Sequence, residues 1–392
     1  MRPALLLAAG VLLAPAARAT WSIVAVDTRT GEVCIAAATC IPLDLEIYLP
    51  VVRVGVGGAC AQSAIDSNGH NRLLIWNGLA DGLDAEGILA VLLEDNPQLS
   101  KQYGIVTVQG EPVTFSGSGV HEAKYGVART MEGFRYAIQG NVLAGIQVVT
   151  DAENAFLATE GDLSQRVLAA MEAARVFGGD GRCSCDMIQP TSCGCPPPSF
   201  AIADLTAFLI IARQGDPDGT CDPVSGCATA PYFCNLNAIG LVDDQDPVVR
   251  LHADYAAWRG GLQGRADQLR TLVEPRNASL PADGVSELEV EVDLRDIEGS
   301  AVVDESAAIA VERAYEGAPV AKVVAVERLS PGRFRVVLRA RTNVGEGRWR
   351  IRARQGASDV LLWPELVVQV GTGAPGPVPP PVRAGGARLR RP

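Results

Sequence analysis

The sequence has little histidine, no excess of basic residues and no long apolar run. Its three histidines, His70, His121 and His252, lie far apart along the chain, so a histidine-based metal site is not expected. Acidic residues outnumber basic ones by 45 to 34, and the formal net charge of −11 argues against binding to nucleic-acid backbones. No apolar stretch approaches the ~20 residues of a membrane-spanning helix. With 392 residues, 48% of them hydrophobic, the chain instead predicts two or three folded domains.

The first 19 residues have the pattern of a secretory signal peptide. Arg2 gives a basic start and residues 4–14 are apolar. Pro15 then breaks the helix before Ala17-Arg18-Ala19, the small-x-small pattern that signal peptidase cleaves. Cleavage there makes Thr20 the mature N-terminus. We therefore expect an exported, soluble protein that is secreted or periplasmic.

The ten cysteines agree with an oxidising compartment. They fall into an early group of three and a later cluster of seven: Cys34, Cys40 and Cys60, then Cys183, Cys185, Cys193, Cys195, Cys221, Cys227 and Cys234. Close pairs have C-x-C spacing rather than the C-x2-4-C spacing typical of zinc sites, which favours disulfides over metal. Because seven is odd, full pairing requires one bridge to the early group. Otherwise at least one thiol of the cluster stays free.

Residues 20–258 combine strand and helix patterns. TWSIVAVD and EVCIAAAT predict a hairpin with Gly31 in its turn, and Tyr103–Phe115 predicts another. Apolar residues at helical spacing predict helical stretches over Asn71–Leu93, interrupted at Gly78 and Gly82, and over Ala152–Val176. The alternation predicts a layered α+β domain, with a cysteine-rich insertion over residues 183–234.

The remaining sequence predicts a linker, an all-β domain and a tail. Residues 259–282 contain two prolines and are interpreted as the linker. Apolar and charged residues alternate over 283–371, which predicts an antiparallel β-sandwich. Residues 372–392 are rich in proline and glycine and are expected to be a disordered extension.

Thr20 is a candidate nucleophile. A threonine hydroxyl reacts poorly, but at the start of a chain its own α-amine, with a pKa near ~7.7 to 8.0, can take its proton. Signal cleavage leaves many residue types at the new N-terminus. Threonine at this position is therefore weak support on its own, and an incidental threonine at a strand start is the alternative.

The residues after Thr20 resemble the family called domain of unknown function 1028, which is assigned to the N-terminal nucleophile hydrolases. The resemblance rests on TWSIVAVDTRTGEVCIAAATC (20–40), VVRVGVGGACAQS (51–63), QGNVLAG (139–145), GGDGR (178–182) and VDDQDPVVRL (242–251). It implies a four-layer αββα sandwich with Thr20 at the mouth of a cleft between two sheets. The family has no agreed activity, so the resemblance implies no substrate.

The resemblance also implies catalytic roles for Arg53 and Gly58. Arg53 lies near the position where proteasomal relatives carry a lysine that lowers the pKa of the nucleophile. An arginine stays protonated, so it can act there only electrostatically. The segment around Gly58 is similar to the one that donates the oxyanion-hole N–H, where glycine permits close approach. The alternative for Gly58 is a glycine-lined strand end packed under a helix.

Four polar residues are candidates for substrate binding: Gln62, Asp66, Asn68 and Asn141. Gln62 follows the strand that carries Gly58, and the resemblance places all four near the cleft. Asp66, Asn68 and Asn141 are also typical helix-cap residues, and capping is the alternative for each of them.

Ala282-Asp283-Gly284 starts the all-β region of residues 283–371. This start and the alternating strands that follow resemble the immunoglobulin-like domains of bacterial invasins, which serve as spacers or adhesion units. We expect an exported amidohydrolase that uses Thr20 as nucleophile on a small-molecule or peptide amide, without metal or cofactor. The β-sandwich is expected to bind a cell-surface or extracellular ligand. The alternative is a non-catalytic secreted binding or adhesion protein that retains the fold.

Overall fold

The computed structural model describes residues 20–372. They divide into two compact units, with the boundary between Ala257 and Trp258. The predicted signal peptide and nearly all of the predicted tail lie outside the described residues. Within residues 20–372, no helix is both long and apolar enough to span a bilayer.

The first unit contains strands and helices in mixed order. They are β1 (Thr20–Asp27), β2 (Val33–Thr39), α1 (Leu45–Tyr48), β3 (Pro50–Arg53), β4 (Gly57–Ser63), α2 (His70–Ala80), α3 (Ala85–Asp95), β5 (Lys101–Thr107), β6 (Val113–Ser116), β7 (Tyr125–Met131), β8 (Phe134–Asn141), α4 (Gln147–Ala158), α5 (Leu163–Val176), α6 (Gly181–Ser184), β9 (Thr206–Ala212), β10 (Cys234–Ile239) and α7 (Pro247–Gly260).

These strands form two antiparallel sheets. The larger has the order β10-β9-β2-β1-β8-β7 and the smaller the order β3-β4-β5-β6. The sheets face each other through β1, β2 and β8 on one side and β4 and β5 on the other, around a core that includes Val24, Val26 and Cys60. Helices α4 and α5 pack on the larger sheet, and α2 and α3 on the smaller. Because both faces of β1 and β2 are covered, every residue of these strands is buried.

Each predicted helical stretch is a pair of helices; the first breaks at Gly82, as predicted, whereas α2 continues through Gly78. Helix α2 ends before Gly82, which has a φ of +77°, and Asp84 caps the start of α3 through Gly87 N–H. Asp162 forms a capping box that starts α5 after α4 has ended. The helical periodicity predicted the type of element, and the turn residues decided where it breaks.

Up to residue 372, the last that the structure describes, the second unit contains eight strands: β11 (Leu272–Glu274), β12 (Asn277–Pro281), β13 (Glu287–Asp293), β14 (Ala308–Arg313), β15 (Ala321–Ser330), β16 (Arg333–Ala340), β17 (Gly345–Gln355) and β18 (Ser358–Gly371). They form two four-stranded sheets, β11-β13-β16-β15 and β12-β18-β17-β14, which enclose one hydrophobic core. All of these pairs are antiparallel except β12 with β18. The chain as a whole is therefore of mixed α+β class with mostly antiparallel sheets.

The predicted linker of residues 259–282 differs from the structure. Its second half forms β11 and β12, and Val273 and Leu280 belong to the core of the second unit. Pro275 lies where the chain passes from one sheet to the other, and Pro281 ends β12. Proline occurs at strand ends as well as in linkers, so the two prolines did not distinguish a linker from two short strands.

Three disulfides are present: Cys40–Cys183, Cys185–Cys193 and Cys221–Cys227. The first is a bridge between the early group and the cluster. The other cysteines are thiols: Cys34, Cys60, Cys195 and Cys234. The structure thus combines the two alternatives, a bridge between the groups and free thiols within the cluster.

Candidate functional site

Thr20 lies at the start of β1, near the middle of the larger sheet. Alternation along the strand places its side chain on the same face as Ser22 and Val24, toward the smaller sheet. The Thr20 hydroxyl donates to Thr39 Oγ1 at 3.5 Å, and the Thr20 carbonyl accepts a bond from Gln62 Nε2 at 3.0 Å. The residue is only 4% exposed in the full chain. Thr20 is therefore held from both sheets.

A network of neutral side chains joins the two sheets beside Thr20. Ser22 Oγ donates to Gln62 Oε1 at 2.6 Å, and Gln62 Nε2 donates to Gln102 Oε1 at 2.8 Å. Asn141 Nδ2 donates to the same Gln102 oxygen at 3.0 Å. Gln139 Nε2 completes the network by donating to Ser22 Oγ. We call Ser22, Gln62, Gln102, Gln139 and Asn141 the amide network; none of them is more than 1% exposed.

Asn141 is the member of the amide network that pairs directly with Thr20 in the register of β1 and β8. Directly opposed residues in antiparallel strands have Cβ atoms about 4.5–5.5 Å apart, so the two side chains are neighbours. In the described part of the chain, Asn141 Oδ1 has no hydrogen-bond partner, and Asn141 Nδ2 has a second hydrogen to donate. Asn141 thus has hydrogen-bonding capacity next to the Thr20 hydroxyl.

The structure separates the four predicted substrate-binding residues into two pairs. Gln62 and Asn141 belong to the amide network. Asp66 and Asn68 instead accept bonds from the backbone N–H groups of Arg72 and His70 in the first turn of α2, while the N-cap position itself is Gly69. For Asn141 the capping alternative is wrong, because Asn141 ends β8 and α4 begins only at Gln147.

Arg53 and Gly58 are not brought to Thr20. Gly58 lies against Ile35, which pairs with Val24, whereas Gln62 on the same strand contacts Thr20. Gln62 lies four positions after Gly58 on this extended strand, which is a distance of about 13 Å.

Arg53 lies beyond Gly58, where it stacks on Trp76 at 4.7 Å and pairs with Asp218 at 3.3 Å. The order of residues along β4 did not reveal which of its ends meets the start of β1. This choice depends on how the two sheets pack.

A second group at this end of the larger sheet was missed from the sequence. Trp21 Nε1 donates to Asp204 Oδ1 at 3.1 Å, and Cys40 N–H donates to Asp180 Oδ2 at 2.8 Å. Asp180 also forms a buried ion pair with Arg182 at 2.7 Å. GGDGR contributed only to the family resemblance, and nothing around Asp204 in the sequence marked it.

Asp204 is fully buried. Burial raises the pKa of Asp204 well above its usual value, and the nearby carboxyl groups of Asp246 and Asp180 raise it further. Asp204 therefore accepts the Trp21 hydrogen bond in a region that disfavours negative charge. Among residues 20–372, no three histidine, cysteine or acidic side chains are arranged to hold a metal ion.

Comparison with known proteins supports the family resemblance over part of the first unit. Residues 20–187 match the model described as a family of unknown function (DUF1028). The match begins at Thr20 and includes Arg53, Gln62, Asn141 and Asp180. No curated protein matches the chain.

Among solved structures, the chain is similar to protein SPO2555 from Silicibacter pomeroyi, whose description also names DUF1028. Identity is 21% over 61% of this chain and 88% of that one, with a TM-score of 0.44. The Yersinia pseudotuberculosis adhesin InvE is 16% identical over 26% of each chain, with a TM-score of 0.20. Domains 4 and 5 of the S-layer protein SbsC are 12% identical over 42% of this chain and 64% of that one, also with a TM-score of 0.20.

Proposed function

We propose that the protein is an exported amidohydrolase whose nucleophile is Thr20, carried by an N-terminal nucleophile hydrolase-like domain of four αββα layers. One observation carries the proposal. The residue that signal cleavage would expose is the residue at which the family match begins. Its hydroxyl lies on the face between the two sheets, beside Asn141 and Gln62.

In the proposed reaction, Thr20 Oγ1 attacks the carbonyl carbon of an amide. The α-amine of Thr20 takes the hydroxyl proton and delivers it to the leaving nitrogen, so that the C–N bond breaks and an acyl ester forms on Thr20. Water then attacks the ester with the same amine as base, releasing the acid and restoring the hydroxyl. Removal of residues 1–19 is required, because an amide nitrogen at Thr20 has no basic lone pair.

The tetrahedral intermediate needs a hydrogen-bond donor for its oxyanion. Gly58 does not take this role in the proposal, because about 13 Å of strand separates it from Gln62, which contacts Thr20. We assign the role to Asn141, whose Nδ2 keeps one hydrogen free of the bond to Gln102. Arg53 has no part in the proposed reaction, since it pairs with Asp218.

A nucleophile-directed probe tests the proposal. The exported chain is treated with a β-lactone, and intact mass and peptide analysis locate the adduct. We expect a start at Thr20 and one adduct on that residue. Thr20→Ala should abolish the adduct with cleavage preserved, while Thr206→Val, at a buried threonine of the same sheet, should label normally. An adduct that persists in Thr20→Ala would contradict the mechanism.

The second candidate is a secreted binding or adhesion protein without catalysis. It is favoured by the pairing of Arg53 with Asp218 away from Thr20. In this case the second unit, as an immunoglobulin-like sandwich, would bind the extracellular ligand. A folded chain that starts at Thr20, takes no adduct and binds cells only with residues 258–372 present would support this candidate.

A further inference from the structure

We propose that Asp204 is a positioning residue for Thr20, acting through the indole of Trp21. The inference rests on the proposed function and adds a residue to the same site. Trp21 Nε1 lies 3.1 Å from Asp204 Oδ1 and 3.3 Å from Asp204 Oδ2. Trp21 is 1% exposed and Asp204 is fully buried, so the bond is shielded from water.

The bond fixes Thr20 because Trp21 is the next residue. Consecutive Cα atoms are 3.80 Å apart across a rigid trans peptide, so fixing Trp21 leaves Thr20 only the rotations of one peptide unit. A mature chain that begins at Thr20 has no preceding residue to hold its first position. The side chain of Trp21 provides this restraint from the opposite face of β1.

The segment GGDGR, residues 178–182, is shaped to allow this contact. A Cβ on Gly179 would lie 2.8 Å from Asp204 Oδ2 and 3.0 Å from Trp21 Nε1, so any other residue would displace one of the two bonded groups. The backbone N–H of Asp180 also donates to Asp204. Gly179 therefore allows the backbone to approach the bond, and Asp180 helps to orient the carboxyl group.

The same segment holds the other neighbours of Thr20. Asp180 Oδ2 accepts the N–H of Cys40, which follows Thr39, the acceptor of the Thr20 hydroxyl. Gly181 N–H donates to the carbonyl of Val142, which follows Asn141. Residues 178–182 and Asp204 thus hold Trp21, Cys40 and Val142. These three residues directly follow the nucleophile, the acceptor of its hydroxyl and its proposed oxyanion donor.

The test compares β-lactone labelling of the mature full-length chain and its variants. Asp204→Leu removes the acceptor, Trp21→Phe removes the donor, and Asp204→Asn keeps an acceptor oxygen. We expect the first two to lower the maximal labelling rate about 10- to 100-fold, because misplacement of a reacting group by about 1 Å costs this much. The concentration for half-maximal rate should be unchanged. Asp204→Asn should retain most of the rate, and Trp76→Phe, a matched control that contacts Arg53, should retain all of it.

A second readout does not depend on reactivity. In protein labelled with ¹³C-threonine, the Thr20 methyl signal should broaden or split in Asp204→Leu and Trp21→Phe and stay single in Asp204→Asn. If Asp204→Leu does not fold, Trp21→Phe carries the test. Unchanged Thr20 signals in folded variants would overturn the inference, whether or not wild type labels. If wild type takes no adduct but the Thr20 signals still change in Asp204→Leu, the result would contradict the proposed function and support the positioning role.

Discussion

Gly179→Ala is the substitution for which the structure gives the most specific expectation. Gly179 has a φ of +44°, in the left-handed region, where a side chain costs about 1–2 kcal/mol. The new methyl group would also lie too close to Asp204 Oδ2 and Trp21 Nε1. Leaving a buried donor or acceptor without its hydrogen-bond partner costs about 1–3 kcal/mol. We therefore expect Gly179→Ala to lower the free energy of unfolding by about 2–5 kcal/mol.

The control is Gly240→Ala, in the same unit. Gly240 has a φ of +66° but no atom within 4 Å of a new Cβ, so only the backbone cost of about 1–2 kcal/mol applies. Urea unfolding of both variants, with disulfides intact and tryptophan fluorescence as the signal, measures the difference. Equal destabilisation of the two variants would refute the steric reasoning. If folded Gly179→Ala is less stable but takes the β-lactone at the wild-type rate, Gly179 contributes to stability and not to the positioning of Thr20.

Two further predictions concern ionisation and disulfides. Burial, and to a lesser extent the charge of Asp44, raises the pKa of Glu46 from 4.5 to about 7. The folded state therefore holds this proton more tightly than the unfolded state, and it loses stability as the pH rises from 4.5 to about 7. In urea unfolding, the free energy of unfolding of Glu46→Gln should therefore rise by about 1–3 kcal/mol relative to that of wild type between pH 5 and pH 8. Glu86→Gln, at an exposed residue, should show no such rise. Replacing Cys40 and Cys183 by serine opens a loop of 143 residues and should cost about 5 kcal/mol, against about 2.5 kcal/mol for the 8-residue loop of Cys185 and Cys193. Equal melting temperatures for the two double variants would contradict the loop-entropy estimate.

Local elements were predictable because their signals lie within a few residues. The hairpin of β1 and β2 follows from two apolar strands around Gly31, which has a φ of +74° as its turn requires. The hairpin of β5 and β6 follows in the same way around Gly110. The family match over residues 20–187 contains the recognised segments up to GGDGR (178–182), whereas VDDQDPVVRL (242–251) lies outside it. Errors arose where one signal has two meanings, as for the prolines of the predicted linker.

The sequence by itself determined the class of the fold, the hairpins and the candidate role of Thr20, because strand periodicity, turn residues and cleavage patterns are local properties. Only the tertiary structure decided which side chains surround Thr20. Gln62 lies 42 residues from Thr20 in the chain, and Asp204 lies 183 residues from Trp21. Contacts over such separations depend on how two sheets face each other and which strand ends meet. A polar residue in a strand carries no local sign of this arrangement, and so Gln102 and Asp204 emerged at the site while Arg53 and Gly58 did not.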